Sequence, residues 1–368
     1  MSDLIDCPLD DLEQAIASVL YGQALGDAYG MPSELLSYAE LKKLFSKIDS
    51  LLPGHPQNPA SAHFKQAEIT DDTQMALAIC DAIIEAHGIP NSTLVAKHIL
   101  HWADNYDVWD KNILGPSSSK ALKALKEGTS IDELENLGTS NGCVMRIAPL
   151  GCVLPTPDIS DNRSLDTYLS NIFACTSPTH KSNIALSAAS AIAAFISASL
   201  DKHSPSSALQ LALHVSDYAY SKEEVLFYPN ISSRIKGALH LYNELINQEI
   251  KLSDLGIFCE DTVSKSEIID VFIREYIGTT MEVSDTVPAA FVAAFACNFN
   301  ASTCAQLCAN LGGDTDTIGA IACALCGSQM SLDMYDDKEL SLLEQTNNLE
   351  VHKKAQSLKE IRMSLCIN

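Results

Sequence analysis

Apolar residues recur at intervals of three and four over several long stretches of the chain, the spacing of helices that bury one face. The clearest are "LEQAIASVLYGQALG", "DTQMALAICDAIIEAHG", "NIALSAASAIAAFISASL", "PAAFVAAFACNF" and "TIGAIACALCGS", all rich in Ala and Leu. Alternating Val, Ile and Tyr of the kind that builds strands is scarce, so the pattern predicts an all-α fold. Gly26 and Gly88 close two of the periodic stretches and read as C-terminal stops. Prolines gather at 53–59 and 155–157 and mark surface loops, with no clear interdomain linker and no repeat period. The expectation is one compact domain over 1–330. The polar, acidic segment 331–368 would be a peripheral helical extension packed on it.

Composition narrows the partners. Hydrophobic residues make up 46% of the 368 and charged residues 19%, which suits an extensive core. A net charge of −23 repels nucleic acid and anionic membranes, so neither is expected as a partner. The acidic N-terminus has no signal-peptide pattern, and no apolar run reaches the ~18 residues of a membrane span. The nearest, 184–200, carries serines and small side chains and reads as a buried helix. Twelve cysteines lie mainly in apolar helical sequence, as expected of reduced thiols in a cytoplasmic protein. Cys304/Cys308 and Cys323/Cys326 lack nearby His or a second pair, so they read as buried thiols, not metal or redox pairs.

Candidate chemistry concentrates in two acidic clusters at the mouths of apolar helices. "EITDDTQMAL" holds Thr70, Asp71 and Asp72; "NLGGDTDTIGAIACAL" holds Asp314, Asp316 and Thr317. Asp314 and Asp316 are two residues apart and cannot share a helix face, but a sharp turn at Gly312-Gly313 lets them converge. Each cluster alone could be an N-cap with an acidic first turn. Meeting in one place, four carboxylates would repel strongly unless a cation or shared protons relieved them. All-oxygen donors suit Mg²⁺, Mn²⁺ or Ca²⁺. A third acidic point, "GQALGDAYGMPSE", ends a helix near Gly26-Asp27 and carries Glu34 on a loop.

These motifs, with "TSNGCVMRIAPLG" and "SPTHKS", fall in order from Tyr21 to Gly327. Together they resemble the ADP-ribosylglycohydrolase family, which includes the dinitrogenase-reductase-activating glycohydrolases and the ADP-ribosyl-acceptor hydrolases. The resemblance implies an orthogonal all-α bundle with a dinuclear centre of two divalent cations, Mg²⁺ first and Mn²⁺ second. Thr70, Asp71 and Asp72 match one metal cluster; Asp314, Asp316 and Thr317 match the other, with Asp316 shared. Glu34 matches a loop glutamate with a catalytic or gating role, and Glu34 or Asp72 would act as acid/base. Thr139, Ser140, Asn141 and Gly142 match a ribose-holding loop, and His180 a pocket histidine. Gly115 and Ser117, in "NILGPSSSKALKAL" before a helix at 120–125, match a diphosphate site.

The implied activity is metal-assisted hydrolysis of the ribosyl bond of an ADP-ribosylated protein or small ADP-ribose conjugate. The chain departs from the family where an aromatic would stack on the ligand. Gly278 is followed by two threonines, leaving Tyr276 or Phe291 as substitutes. That departure keeps a nucleoside or other small N-glycoside hydrolase open, and a non-catalytic ADP-ribose-binding member after it.

Overall fold

A computed structural model describes residues 11–106, 108–111, 115–222, 228–257 and 265–367. The first ten residues of the expected domain and positions 112–114 of the "NILGPSSS" segment lie outside these. The N-terminal third forms α1 (Asp11–Gly30), α2 (Tyr38–Phe45), α3 (Asp71–Ala86), α4 (Ser92–Asn105), a short α5 (Val108–Lys111) and α6 (Pro116–Lys126). The middle forms α7 (Ala148–Val153), α8 (Asn162–Thr176), α9 (Asn183–Leu200), α10 (Pro205–Tyr220) and α11 (Ile231–Ile246). Then come α12 (Lys265–Phe272), α13 (Val283–Ala296), α14 (Ala301–Ala309), α15 (Thr315–Gly327), α16 (Asp337–Asn347) and α17 (Val351–Ile367). No strand forms among the described residues, and one isolated antiparallel bridge joins Ser140 to Glu282. The all-α expectation holds.

Polar side chains before the periodic stretches start the helices. Thr70 accepts from the Asp72 N–H ahead of α3, Ser182 from the Ala185 N–H ahead of α9, and Asn300 from the Thr303 N–H ahead of α14. At its other end α3 closes on His87 in the left-handed region (φ 50°), just before the predicted stop at Gly88.

Gly26 is not a stop. Helix α1 runs through it to Gly30, and Gly22, Gly26 and Gly30 form one stripe at four-residue spacing against α15. A Cβ on Gly26 would lie 2.0 Å from the Gly319 carbonyl oxygen, and one on Gly319 would lie 2.4 Å from the Gly26 oxygen. Gly22 faces Cys323 and Gly30 faces Thr315, so the two helices run antiparallel in backbone contact. This pairing brings the C-terminal end of α1 and the N-terminal end of α15 to the same place.

One contiguous apolar core extends from Ile16 to Ile361. Helix α9 is long and apolar enough to span a membrane by length and composition, longer than the sequence reading allowed, yet 94% of it is buried inside the fold. Most described cysteines are buried free thiols; Cys297 is half-buried and Cys366 exposed. The segment after Met330 also contributes to the core. Leu343, Val351, Ala355 and Leu358 are buried, and the fully enclosed Arg362 caps carbonyls of Cys152 (3.2 Å) and Ser197 (3.2 Å).

Candidate active site

The two acidic clusters, 242 residues apart from Asp72 to Asp314 in the chain, line one narrow cleft of about 50 Å³. Glu34, Asp71, Asp72, Asp314, Asp316 and Thr317 all face it. Local backbone explains each. Gly312 and Gly313 adopt φ of 77° and 80°, turning the chain so that Asp314 becomes the N-cap of α15 and Asp316 lies in its first turn. The helix therefore starts at Thr315. Glu34 follows a single 3-10 turn, Met31–Ser33, immediately beyond α1. Its neighbour Leu35 donates from its N–H to the Gly313 carbonyl (2.7 Å), and Gly313 donates back to the Leu36 carbonyl (2.8 Å). The Glu34 segment and the Asp314 turn are thus stitched together.

Beneath the Thr70 cluster lies Asp27, fully buried. It accepts from the Thr70 N–H (3.0 Å), the Thr70 hydroxyl (2.9 Å) and the Thr73 N–H (3.0 Å). Asp27 buttresses the N-terminus of α3 and was not singled out from sequence. A lone acid within the apolar run "LYGQALGDAYGM" was the available signal. Thr70 itself does not line the cleft, because its hydroxyl is committed to Asp27 and to Asp72 Oδ2 (3.1 Å).

Burial dominates the electrostatics. It raises the Asp27 carboxyl to about 6 against the opposing hydrogen bonds from Thr73 and Thr70. It raises Asp71 to about 7, with Asp27 and Asp314 adding repulsion. Glu34 is raised to about 8 by burial and then by Asp71, Asp314 and Asp27. Asp72 and Asp316 are pushed well above the carboxylate range by burial and neighbouring acids. Despite this, Asp72 Oδ1 and Asp316 Oδ1 are buried without any hydrogen-bond partner. Two orphaned carboxylate oxygens in a closed acidic cleft suit a hard divalent cation, and the surrounding donors are oxygens throughout. Among the described residues no group of three or more His, Cys, Asp and Glu side chains is already arranged to hold a metal ion.

The loop at 139–143 forms the opposite wall. Asn141 donates from its N–H to the Met281 carbonyl (2.8 Å) and Val283 donates to the Thr139 carbonyl (3.1 Å), fixing the loop on α13. The Asn141 amide donates to Asp314 Oδ2 and to Thr286 Oγ1 (3.0 Å), so this wall touches the second acidic cluster directly. Ser140, Asn141, Gly142 and Gly115 line the cleft. Ser117 and Thr139 instead line an adjoining, more open pocket of about 710 Å³ with Lys120 and Lys181. Helix α6 starts at Pro116, so the serines occupy its first turn instead of preceding it, and Ser118, not Ser117, turns into the acidic cleft.

His180 is enclosed behind the wall, its Nε2 lying 2.9 Å from Ser140 Oγ. Neither proposed aromatic is at the cleft. Phe291 is packed in the core against Phe195 (5.6 Å between centroids), and Tyr276 stacks on Phe272 (5.3 Å) beside a separate groove with Arg234. The apolar side chains that do line the cleft are Met145 and Met281.

Comparison with known proteins agrees with this architecture. A family profile described as ADP-ribosylglycohydrolase matches residues 8–357. The chain is 37% identical over 349 residues to the uncharacterized protein YegU of Escherichia coli (strain K12), covering 95% of this chain and 97% of that one. It is 23% identical over 337 residues to the human ADP-ribosylhydrolase ARH3, covering 86% of each. A solved structure titled "ADP-ribosylglycohydrolase-related protein complex" shares the fold with a TM-score of 0.66 at 20% identity, over 96% of this chain and all of that one. With the profile spanning nearly its whole length, the chain belongs to the ADP-ribosylglycohydrolase family and is a glycosidase-type hydrolase.

Proposed function

We propose that the protein hydrolyses the ribosyl bond of an ADP-ribosylated acceptor, a protein side chain or a small ADP-ribose conjugate, with the help of two divalent cations. The observation that carries the metal reading is the pair of unpartnered buried oxygens, Asp72 Oδ1 and Asp316 Oδ1, facing one cleft from opposite ends of the chain. Asp71, Asp72, Asp314, Asp316 and Thr317, with Thr70 beside them, would hold Mg²⁺, or Mn²⁺ in its place. When bound, such cations supply charge for the ribose hydroxyls and lower the pKa of a water.

The chain's own groups do the rest. Asn141, held by Thr286 and Asp314, orients the ribose at the wall opposite the Thr70 cluster. Glu34 sits half-buried at the rim, where solvent can replenish a proton, and burial favours its protonated form. It therefore serves as the proton carrier for the leaving group at the anomeric carbon. Asp72, enclosed and hydrogen-bonded by Thr70, serves to orient the attacking water. The narrow cleft excludes bulk water from the oxocarbenium-like transition state.

The deciding experiment measures product release from ADP-ribosyl-arginine, ADP-ribosyl-serine and a panel of nucleosides, each with and without Mg²⁺ or Mn²⁺. Metal-dependent turnover of an ADP-ribosylated substrate is expected. Turnover confined to nucleosides would replace this reading, a result to which the absence of an aromatic wall among the cleft residues lends weight. ADP-ribose binding without turnover on any substrate would make the protein a binding module.

A further inference from the structure

Arg146 is fully buried and has no carboxylate partner among the described residues. Its guanidinium donates from Nη1 to the Gly142 carbonyl (2.5 Å), and from Nη2 to the Cys175 carbonyl (3.2 Å) and to Thr179 Oγ1 (2.6 Å). Thr179 Oγ1 lies 2.8 Å from His180 Nδ1, and His180 Nε2 lies 2.9 Å from Ser140 Oγ. Arg146, Thr179 and His180 are all sealed from solvent, whereas Ser140 opens onto the acidic cleft. Four side chains thus form a continuous line from the core to the site.

The donor inventory sets the direction of every bond in that line. Guanidinium has donors only, so Thr179 Oγ1 must accept from Arg146. Thr179 Oγ1 has no other partner than these two among the described residues, so its single proton has one available acceptor, His180 Nδ1. An imidazole that accepts at Nδ1 carries its proton at Nε2. Burial and the adjacent Arg146 charge hold His180 far below its ordinary range, at about 3, which leaves the ring neutral with a single N–H. That N–H donates to Ser140 Oγ, and the Ser140 hydroxyl proton is left to point into the cleft.

We propose that Arg146 and Thr179 are positioning residues that lock His180 as its Nε2–H tautomer and so make Ser140 a hydrogen-bond donor to an oxygen of the bound ADP-ribosyl group. The substrate part of this rests on the function proposed above. The relay explains why a cation is buried where no anion faces it: each bond polarises the next toward the cleft. In a cleft rich in carboxylates, a fixed donor discriminates for substrate oxygens and against substrate N–H groups.

The test uses the full chain labelled with ¹⁵N-histidine, with His180→Gln to assign the resonance. Long-range ¹H–¹⁵N correlation at neutral pH is expected to show His180 Nδ1 unprotonated and Nε2 protonated. Thr179→Ser keeps the hydroxyl and should keep this signature; Thr179→Val removes the donor and should lose the bias. Calorimetric binding of ADP-ribose with Mg²⁺ should weaken about tenfold in Thr179→Val, the loss of one directed hydrogen bond, and stay near wild type in Thr179→Ser. A wild-type ring protonated at Nδ1, or a folded Thr179→Val chain with wild-type spectrum and affinity, overturns the relay. A wild-type chain with the Nε2–H signature that binds no ADP-ribose overturns the proposed function and leaves the tautomer lock standing.

Discussion

Asp72 and Asp316 each keep one oxygen without a hydrogen-bond partner in a place closed to bulk water, where such an atom costs about 1–3 kcal/mol or more. Removing one of these buried acids should therefore help the metal-free protein. Asp316→Asn is expected to raise the melting temperature without metal, to shrink the further rise on adding Mg²⁺, and to abolish hydrolysis. A variant that melts lower than wild type without metal would contradict the repulsive cluster. The pH dependence follows from the same residues. Asp27, Asp71 and Glu34 rise from 3.8, 3.8 and 4.5 to about 6, 7 and 8, so the folded state binds more protons than the unfolded chain between those limits. Stability of the metal-free protein is then fullest below about pH 4 for these groups and declines as pH climbs to about 8. Denaturant titrations in chelator across that window check it, and Mg²⁺ should flatten the slope. Glu34→Gln is expected to cut kcat by ~10²–10⁴ while leaving Mg²⁺ binding and KM nearly unchanged, as steady-state kinetics can show. At this scale the acidic motifs were legible, because two Thr/Asp clusters stand at the mouths of strongly apolar helices. Asp27, Ser118, Arg146 and Thr179 were not, since each is an ordinary residue until its neighbours are known.

The elements matter through where they end. Helices α3 and α15 present their N-termini to the cleft, and the partial positive charge there favours the carboxylates and any oxygen-bearing ligand. Their meeting depends on the glycine-lined contact of α1 with α15, in which Gly26 and Gly319 leave room only for backbone. Gly26→Ala places a methyl group 2.0 Å from a carbonyl oxygen, a position only helix separation can relieve. It should cost at least the ~1–3 kcal/mol of an overpacked core and weaken Mg²⁺ binding together with stability. Thermal melts and metal titration test this, and intact metal affinity in a destabilised variant would detach the helix pair from the site. Read along the chain, Gly26 looked like a helix stop, because glycine serves as well for termination as for close approach. Helix periodicity cannot distinguish the two, since the reason lies on another helix 293 residues away at Gly319.

Across the whole molecule, the segment after Met330 is tied to both core and site. The Tyr335 hydroxyl donates to the Ser18 carbonyl (2.7 Å), and Arg362 caps α7 and α9. Asn347 accepts from the Ile69 N–H (3.1 Å) and donates to the Ala67 carbonyl (2.7 Å), holding the chain just before Thr70. Truncation at Met330 is expected to leave a chain without cooperative unfolding in calorimetry; a sharp melt near that of the full protein would mark 1–330 as self-sufficient. By itself the sequence determined the helices and the two acidic clusters, because periodicity, caps and the Gly312-Gly313 turn act over a few residues. Only the tertiary structure decided which walls face those clusters, that His180 lies behind Ser140, that Phe291 belongs to the core, and that Asp27 lies beneath Thr70. Those are contacts between residues tens to hundreds apart, chosen by packing and by the need to satisfy every buried polar group at once.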